Sequence, residues 1–460
     1  MKYLKIIIAI FFLIQVVSCD DILDKEPVSA FSASSFYQTE SDCEAAVYGI
    51  YDAVQSAFGT NFAYWGEGRA DNVKTEQTGE AMYLMDNNMT VSLASGDWTK
   101  LYTIISRANY AIKYIPEIYD ENDAAGNMLI GQAKALRALA YFYLVRVWGD
   151  VPLITEPYTS VDQDIFVSRT DQEEVLDQIE TDLIYAAANC NSKYNSDKDR
   201  ILMTQGGANA FLTQVYMWRN KYEKALETSN LVLNNSLYSL VTTMDAWSAM
   251  FISGYSKESI FEIAYDETDQ KNGLRTLYAV GSYSIYVPSD VFKASFEVGD
   301  ARIPYVYNTT LAEPKAIWKF LGKDVSDEIS TLYDCNIVMV RLADIMLLRA
   351  EALVQVSGSA NISEALNLLN QIRERAGLYA FATEVEAKAM YSDLESAILH
   401  ERSIELCYEG HRWFDLVRTG KAISTMNPIN GLSSEKNLVW PVNSDIINGN
   451  PNIGQNEYYR

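Results

Sequence analysis

Two histidines, His400 and His411, bound the side-chain chemistry open to this chain. His400-Glu401 begins like a zinc-protease helix, which needs a second histidine four residues on so that both face one metal. That position is Ile404, so the metal reading fails. Cys43, Cys190, Cys335 and Cys407 are too widely spaced for a metal pattern, and their spacing leaves any disulfide pairing open. Both histidines sit in one charged block, which argues against a Ser–His or Cys–His nucleophile. No glycine-rich phosphate loop follows a strand; Gly206-Gly207 lies beside a helix and reads as a turn. A glycosidase needs only two placed carboxylates, and with 61 acids it is the enzymatic alternative. The expectation is a protein with no catalytic residue, no metal and no cofactor.

What the chain has in quantity is aromatic rings, 31 Tyr and 8 Trp. A sugar presents apolar C–H faces and a rim of hydroxyls, so its sites pair flat rings with planar polar side chains. Tyr64, Trp65, Arg69, Asp71 and Asn72 supply that mixture in one short stretch, and Tyr283, Tyr286 and Trp318 supply rings in another region. These eight are the candidate ligand contacts, although each ring alone would serve equally well as packing.

The elements that must position them are mostly helical. Leu136, Leu139, Ala140, Tyr143, Leu144 and Val147 recur at helical spacing as one broad apolar face. Similar patterns predict helices over about 41–57, 98–120, 171–189, 204–219, 221–234, 338–356, 362–376 and 385–418. Ala210 precedes Ala225-Leu226 by 15 residues, and Ala350 precedes Ala365-Leu366 by the same offset. Small residues so spaced let two helices of a hairpin approach closely, the packing logic of tetratricopeptide repeats. The pattern breaks at about 59–97 and 235–337, which are rich in Gly, Asn, Asp, Ser and aromatics. The second contains a strand-like run from Ser259 to Ala264. The expected fold is mainly α: a tetratricopeptide-like hairpin scaffold with irregular loop and strand insertions forming the ligand face. Residues 41–460 read as a single domain.

The first residues address the chain. Lys2 and Lys5 precede an apolar run from Leu4 to Val17, closed by Ser18 and Cys19, so residues 1–18 read as a secretory signal peptide. The run is shorter than the roughly 20 residues a membrane span needs. Cys19 stands where a lipobox places its lipidated residue, and residues 19–40 then form a tether and N-terminal segment. Acyl chains on Cys19 would make the membrane anchoring effectively permanent. Removing residues 1–18 takes away two lysines and no acid, so the mature chain carries −26 against −24 for the whole. That charge excludes nucleic acid as a partner, while 48% hydrophobic residues allow a large core.

Five collinear blocks resemble the SusD/RagB family. Cys19 with Ile22-Leu23-Asp24-Lys25-Glu26-Pro27 is similar to its N-terminal start. Ala133-Lys134-Ala135-Leu136-Arg137-Ala138, continuing through Trp148-Gly149-Asp150-Val151-Pro152, matches a second block, and Arg341-Leu342-Ala343-Asp344 through Glu351-Ala352 a third. Glu401-Arg402-Ser403-Ile404-Glu405 with Glu409-Gly410-His411-Arg412-Trp413-Phe414-Asp415 makes the fourth. Trp440-Pro441-Val442 through Asn450-Pro451 to Gln455-Asn456 makes the fifth. The resemblance implies four helical-repeat pairs, an irregular ligand face and a place in the outer membrane, lipid-anchored and facing the surface. It also implies a SusC-like TonB-dependent transporter as partner, fed with oligosaccharide. A peptide-carrying, RagB-like role is the alternative, and cationic peptides would suit the −26 charge. Read physically, the acids and arginines of 401–418 are expected to pair and hold helices in register.

Overall fold

A computed structural model describes residues 36–460 apart from 161, 267, 269–270, 279–283, 308–316 and 321–334. Cys19, the signal segment, nearly all of the tether and Tyr283 lie outside the described residues. The apolar periodicity becomes α1 (Glu40–Phe58), the short α2 (Asn61–Gly66), α3 (Thr99–Ile118), α4 (Ala124–Trp148) and α5 (Gln172–Asn189). Then follow α6 (Gln205–Trp218), α7 (Tyr222–Leu233), α8 (Leu342–Val356), α9 (Ser359–Arg375), α10 (Leu394–Glu405) and α11 (Arg412–Arg418). Their starts follow from local chemistry. Thr39, Asp123, Asp171, Thr204 and Asp393 each accept a hydrogen bond from a backbone N–H of the first turn, satisfying donors the helix itself leaves open.

The long helices stack in chain order: α1 on α3, α3 on α4, and so on through α5, α6, α7 and α8 to α9. This is a tetratricopeptide-like array in which each helix packs on its sequence neighbours. The 15-residue offset has a physical counterpart. Ala210, Ala225, Ala350 and Ala365 are fully buried, the Thr213 and Thr228 hydroxyls meet at 2.8 Å between α6 and α7, and Arg349 donates to Glu364 at 2.7 Å between α8 and α9. The apolar stripe of α4 proves wider than one face. Ala135, Ala138, Tyr141 and Phe142 are buried as well, because α4 is sandwiched between α3 and α5. Its arginines are accommodated rather than exposed: Arg137 makes a paired bond to Asp182 of α5 at 2.8 and 2.9 Å, and Arg146 lies 4.0 Å over the rings of Phe142 and Phe414.

Two sequence expectations are corrected. Residues 337–341 are a strand, β4 (Ile337–Arg341), antiparallel to β2 (Ser259–Ile263), and the helix starts only at Leu342. Every residue of β4 is buried, so its apolar run carried neither a period of 2 nor one of 3.6. The expected helix over 385–418 is three pieces, Glu384–Tyr391, α10 and α11. The chain turns between them through Ser392, Tyr408 and Gly410, all at positive φ.

A buried ionic network fastens the second insertion to the last helices. Arg341 bonds Glu258, Glu405 and Glu409 at 2.7–2.8 Å. Arg375 bonds Glu258 and Glu405, and Arg302 joins Asp300 to Glu401 and Glu405. The acids at 401, 405 and 409 thus pair with arginines brought from other segments, and Arg402 reaches Asp415 and Asp344 instead of the Glu405 that helical spacing offered. Cys43, Cys190, Cys335 and Cys407 are buried and unbridged.

Candidate functional site

The first insertion enters the interior at once. Gly66, ending α2, lies so close to the turn at Gly410 that a Cβ there would stand 2.1 Å from the Gly410 carbonyl oxygen. The next residue, Glu67, turns its carboxylate inward to accept the N–H groups of Gly410 and His411 at 2.7 and 3.2 Å, and a further bond from Asn72. Burial pushes its pKa up to about 7, against the downward pull of those hydrogen bonds.

Most of the predicted contacts lie in this interior. Trp65 is buried, its indole N–H donating to the Ser95 carbonyl at 2.9 Å and its ring edge-on to Trp148. Tyr64 packs against Tyr286, and Tyr286 has no exposed surface. Arg69 is stacked 4.2 Å over Trp413 and donates to the carbonyls of Asn437 and Leu438. Asn72 is buried beside Glu67. These five side chains hold the first insertion to the core and the C-terminal segment, so the expectation that they line an open surface is corrected. Trp318 is half-buried, its indole nitrogen enclosed without a partner and its backbone tied to Val306 at 2.8 Å.

Asp71 is the predicted residue that reaches an open site. Just beyond it, β1 (Val73–Lys74) pairs antiparallel with β3 (Val287–Pro288). Ser289 donates its hydroxyl to the Asp71 carbonyl and its N–H to that of Asn72, and Lys74 pairs with Asp290. This seam joins the two insertions. It delivers Asp71 to a cleft of about 250 Å³ shared with Val291, Phe292 and Ser295 of the second insertion. The opposite wall is α10, through Ser396, Leu399, His400 and Ser403, with Arg412, Asp415, Leu416 and Thr419 from α11 and its end, then Lys421 and Thr425.

The charges in the cleft are already paired, Asp71 with Arg412 inside it and Asp415 with Arg402 and Arg418 behind it. Arg412 grips Asp71 with two bonds, 2.7 and 2.8 Å. Burial alone would raise Asp71, but Arg412 outweighs it and holds the carboxyl below its ordinary range. Asp415, against the same desolvation, is held low by Arg402 and Arg418. His400 stacks on Tyr391 at 4.6 Å, and burial draws its pKa down to about 4, so it is neutral at physiological pH. The arrangement can bind polar ligands, and both of its carboxylates are held ionised. Among the described residues no group of His, Cys, Asp and Glu is arranged to hold a metal ion.

The α10 wall escaped the sequence reading, which took 401–418 as structural. Its signal was present: Ser396, Leu399, His400 and Ser403 fall at offsets 0, 3, 4 and 7, which puts two serines and a histidine on one face of a mostly buried helix.

The fold and cleft can be set beside known proteins. Residues 306–459 match the family described as SusD family, and residues 21–217 match starch-binding associating with outer membrane. SusD-like protein P38 of Formosa agariphila is 33% identical, over 96% of this chain and 96% of that one. The chain belongs to the SusD-like family. A SusD-like protein of Bacteroides ovatus is 24% identical over 91% of this chain and 82% of its own. Among solved structures, a SusD homolog from Bacteroides thetaiotaomicron matches with a TM-score of 0.78 and 25% identity, covering 92% of this SusD-like chain and all of that one. A laminarin-binding SusD-like protein matches with a TM-score of 0.78 at 24% identity, 92% of this chain and 100% of its own, a likeness of fold.

Proposed function

We propose that this SusD-like protein is a non-catalytic surface lipoprotein, anchored through Cys19, that captures a glycan and hands it to a SusC-like TonB-dependent outer-membrane transporter. The observation that carries this reading is the 33% identity to a SusD-like protein across 96% of both chains. The cleft adds chemical support: an apolar wall beside hydroxyl, imidazole and paired-charge groups suits a polyol. Its ionised Asp71 and Asp415 supply no protonated carboxyl, which glycoside hydrolysis requires as general acid. Among the described residues, Asp71 and the half-buried Trp318 are the predicted contacts left to meet a ligand.

Calorimetry with neutral oligosaccharides, on wild type and Trp318→Ala, tests the reading. Loss of one ring from an aromatic platform removes on the order of 1–3 kcal/mol, a tenfold to hundredfold weaker Kd, with the melting temperature unchanged. Released reducing ends after long incubation, abolished by a single carboxylate substitution, would turn the reading toward a glycosidase. The −26 mature charge favours a second reading, capture of cationic peptides. Binding of Lys/Arg-rich peptides and of no oligosaccharide would select it.

A further inference from the structure

We infer that the first insertion is latched to the turn at Gly410 by a proton on Glu67, and that ionisation of this carboxyl loosens the Asp71 wall of the cleft. Two short segments meet along the latch. Gly66 lies too close to Gly410 for any Cβ. Glu67 accepts the N–H groups of Gly410 and His411 at 2.7 and 3.2 Å, and Asp71 grips Arg412 at 2.7 and 2.8 Å. Residues 66–71 and 410–412 are thus joined at three successive points. The last of these forms the cleft wall, and the middle one carries an exchangeable proton. Ser289 extends the join, its hydroxyl and N–H bound to the carbonyls of Asp71 and Asn72.

The surroundings of Glu67 favour its neutral form. The buried acids Glu258, Asp344, Glu401, Glu405 and Glu409 each pair with an arginine, whereas Glu67, fully buried, has no ion pair among the described residues. A buried carboxylate without a cation is costly. The Asn72 side-chain oxygen, buried and without a partner, can accept the Glu67 proton once that amide turns over. The groups facing Glu67 do not compete for the proton. Tyr278 and Tyr286 of the second insertion, Tyr143 of α4, and Tyr408 and Cys407 before the turn are all pushed up by burial and stay neutral. Lys319 is held by Glu409, and Arg412 by Asp71. The His411 ring, drawn below its ordinary value by burial, is the neighbour a test has to separate. With its carboxyl pushed up to about 7 in the closed latch and at 4.5 once hydrated, Glu67 holds the latch fully below about 4.5 and loses hold as pH rises to about 7. Parting these two segments hydrates the carboxylate without unfolding the helices, a local opening rather than a global one.

Hydrogen exchange of the mature chain, corrected for intrinsic rates, reads the latch through the Gly410 and His411 amides and needs no ligand. Their protection should fall on the order of a hundredfold from about pH 4 to about pH 8, the measure of the difference between the two states of Glu67. They should exchange faster than the α4 amides at every pH. Glu67→Gln should flatten the profile. Asp71→Asn, which weakens the last point of the join, should speed exchange at every pH and keep the slope. Difference infrared spectra should show a protonated carboxyl in wild type that disappears over the same range and is missing from Glu67→Gln. Thermal melts check that the variants fold, and the wild-type profile with its infrared band decides if Glu67→Gln does not. A flat wild-type profile overturns the latch. A slope that persists in Glu67→Gln overturns it too and passes the titration to His411. Equal exchange of the turn and α4 makes the opening global and overturns it as well. Unchanged exchange in Asp71→Asn overturns the coupling to the cleft.

Discussion

With its carboxyl pushed up to about 7, Glu67 holds a proton more tightly in the folded chain than in the unfolded one, where its ordinary value is 4.5. The folded state therefore binds the extra proton between those values, and the stability Glu67 contributes is full below about 4.5 and falls as pH rises to about 7. At roughly 1.4 kcal/mol per pKa unit, the loss is of the order of 3 kcal/mol. Glu67→Gln should flatten that part of the profile, which urea unfolding at a series of pH values would show as a smaller slope than wild type. The change should be tolerated because the Asn72 side-chain oxygen has no partner, and turning that amide over lets it accept from the new Gln. An unchanged slope would mean that Glu67 is ionised throughout. Trp65 and Trp318 make a second contrast. Trp65→Ala should cost about 3–5 kcal/mol of stability, as large buried aromatics do, whereas Trp318→Ala should leave the melt near wild type; equal losses would contradict their burial. The sequence could not separate these two rings. Both lie in stretches without periodicity, and what buries Trp65 is its approach to Ser95, Phe58 and Trp148, contacts that no local pattern encodes.

At the scale of elements, much more was legible. Helices α1, α3, α5, α6 and α7 fall where the apolar period puts them, within a few residues at each end. The failures have two causes. An all-apolar run such as Ile337–Val340 looks alike as strand or helix, and the breaks after Tyr391 and Glu405 depend on positive-φ turns at non-glycine residues. Arg341 sits at the junction of β4 and α8 and joins carboxylates from two distant segments of the chain, Glu258 on one side and Glu405 with Glu409 on the other. Arg341→Met should remove one buried cation from those acids, leaving Arg302, Arg375 and Lys319 to hold them, and lower stability by up to roughly 3–5 kcal/mol. Arg349→Met, whose partner Glu364 is exposed, should cost no more than about 1 kcal/mol. Chemical denaturation of the two variants side by side makes the comparison. Similar midpoints would remove the network from its role as the tie between insertion and scaffold.

For the whole molecule, compartment and partner are matters for experiment on cells. No helix of the described residues is long and apolar enough to cross a membrane, so the proposed anchoring rests on Cys19. Metabolic labelling with a palmitate analogue should tag wild type and not Cys19→Ala, and equal label in both would sink the lipoprotein proposal. Pull-down from detergent-solubilised membranes should bring a TonB-dependent barrel with it, since two partners held in one leaflet keep a high effective concentration. Recovery of the protein alone would count against the transporter. The seam between the insertions bears on how such a molecule matures. Helical hairpins close over short chain distances and form early, but Ser289 must find Asp71 across 218 residues, and contacts so distant in the chain are slow to form. A partly folded chain would then have its helical signature in full and no cleft at all. Ligand competence is in this sense a proofreading mark, carried only by chains that have finished folding.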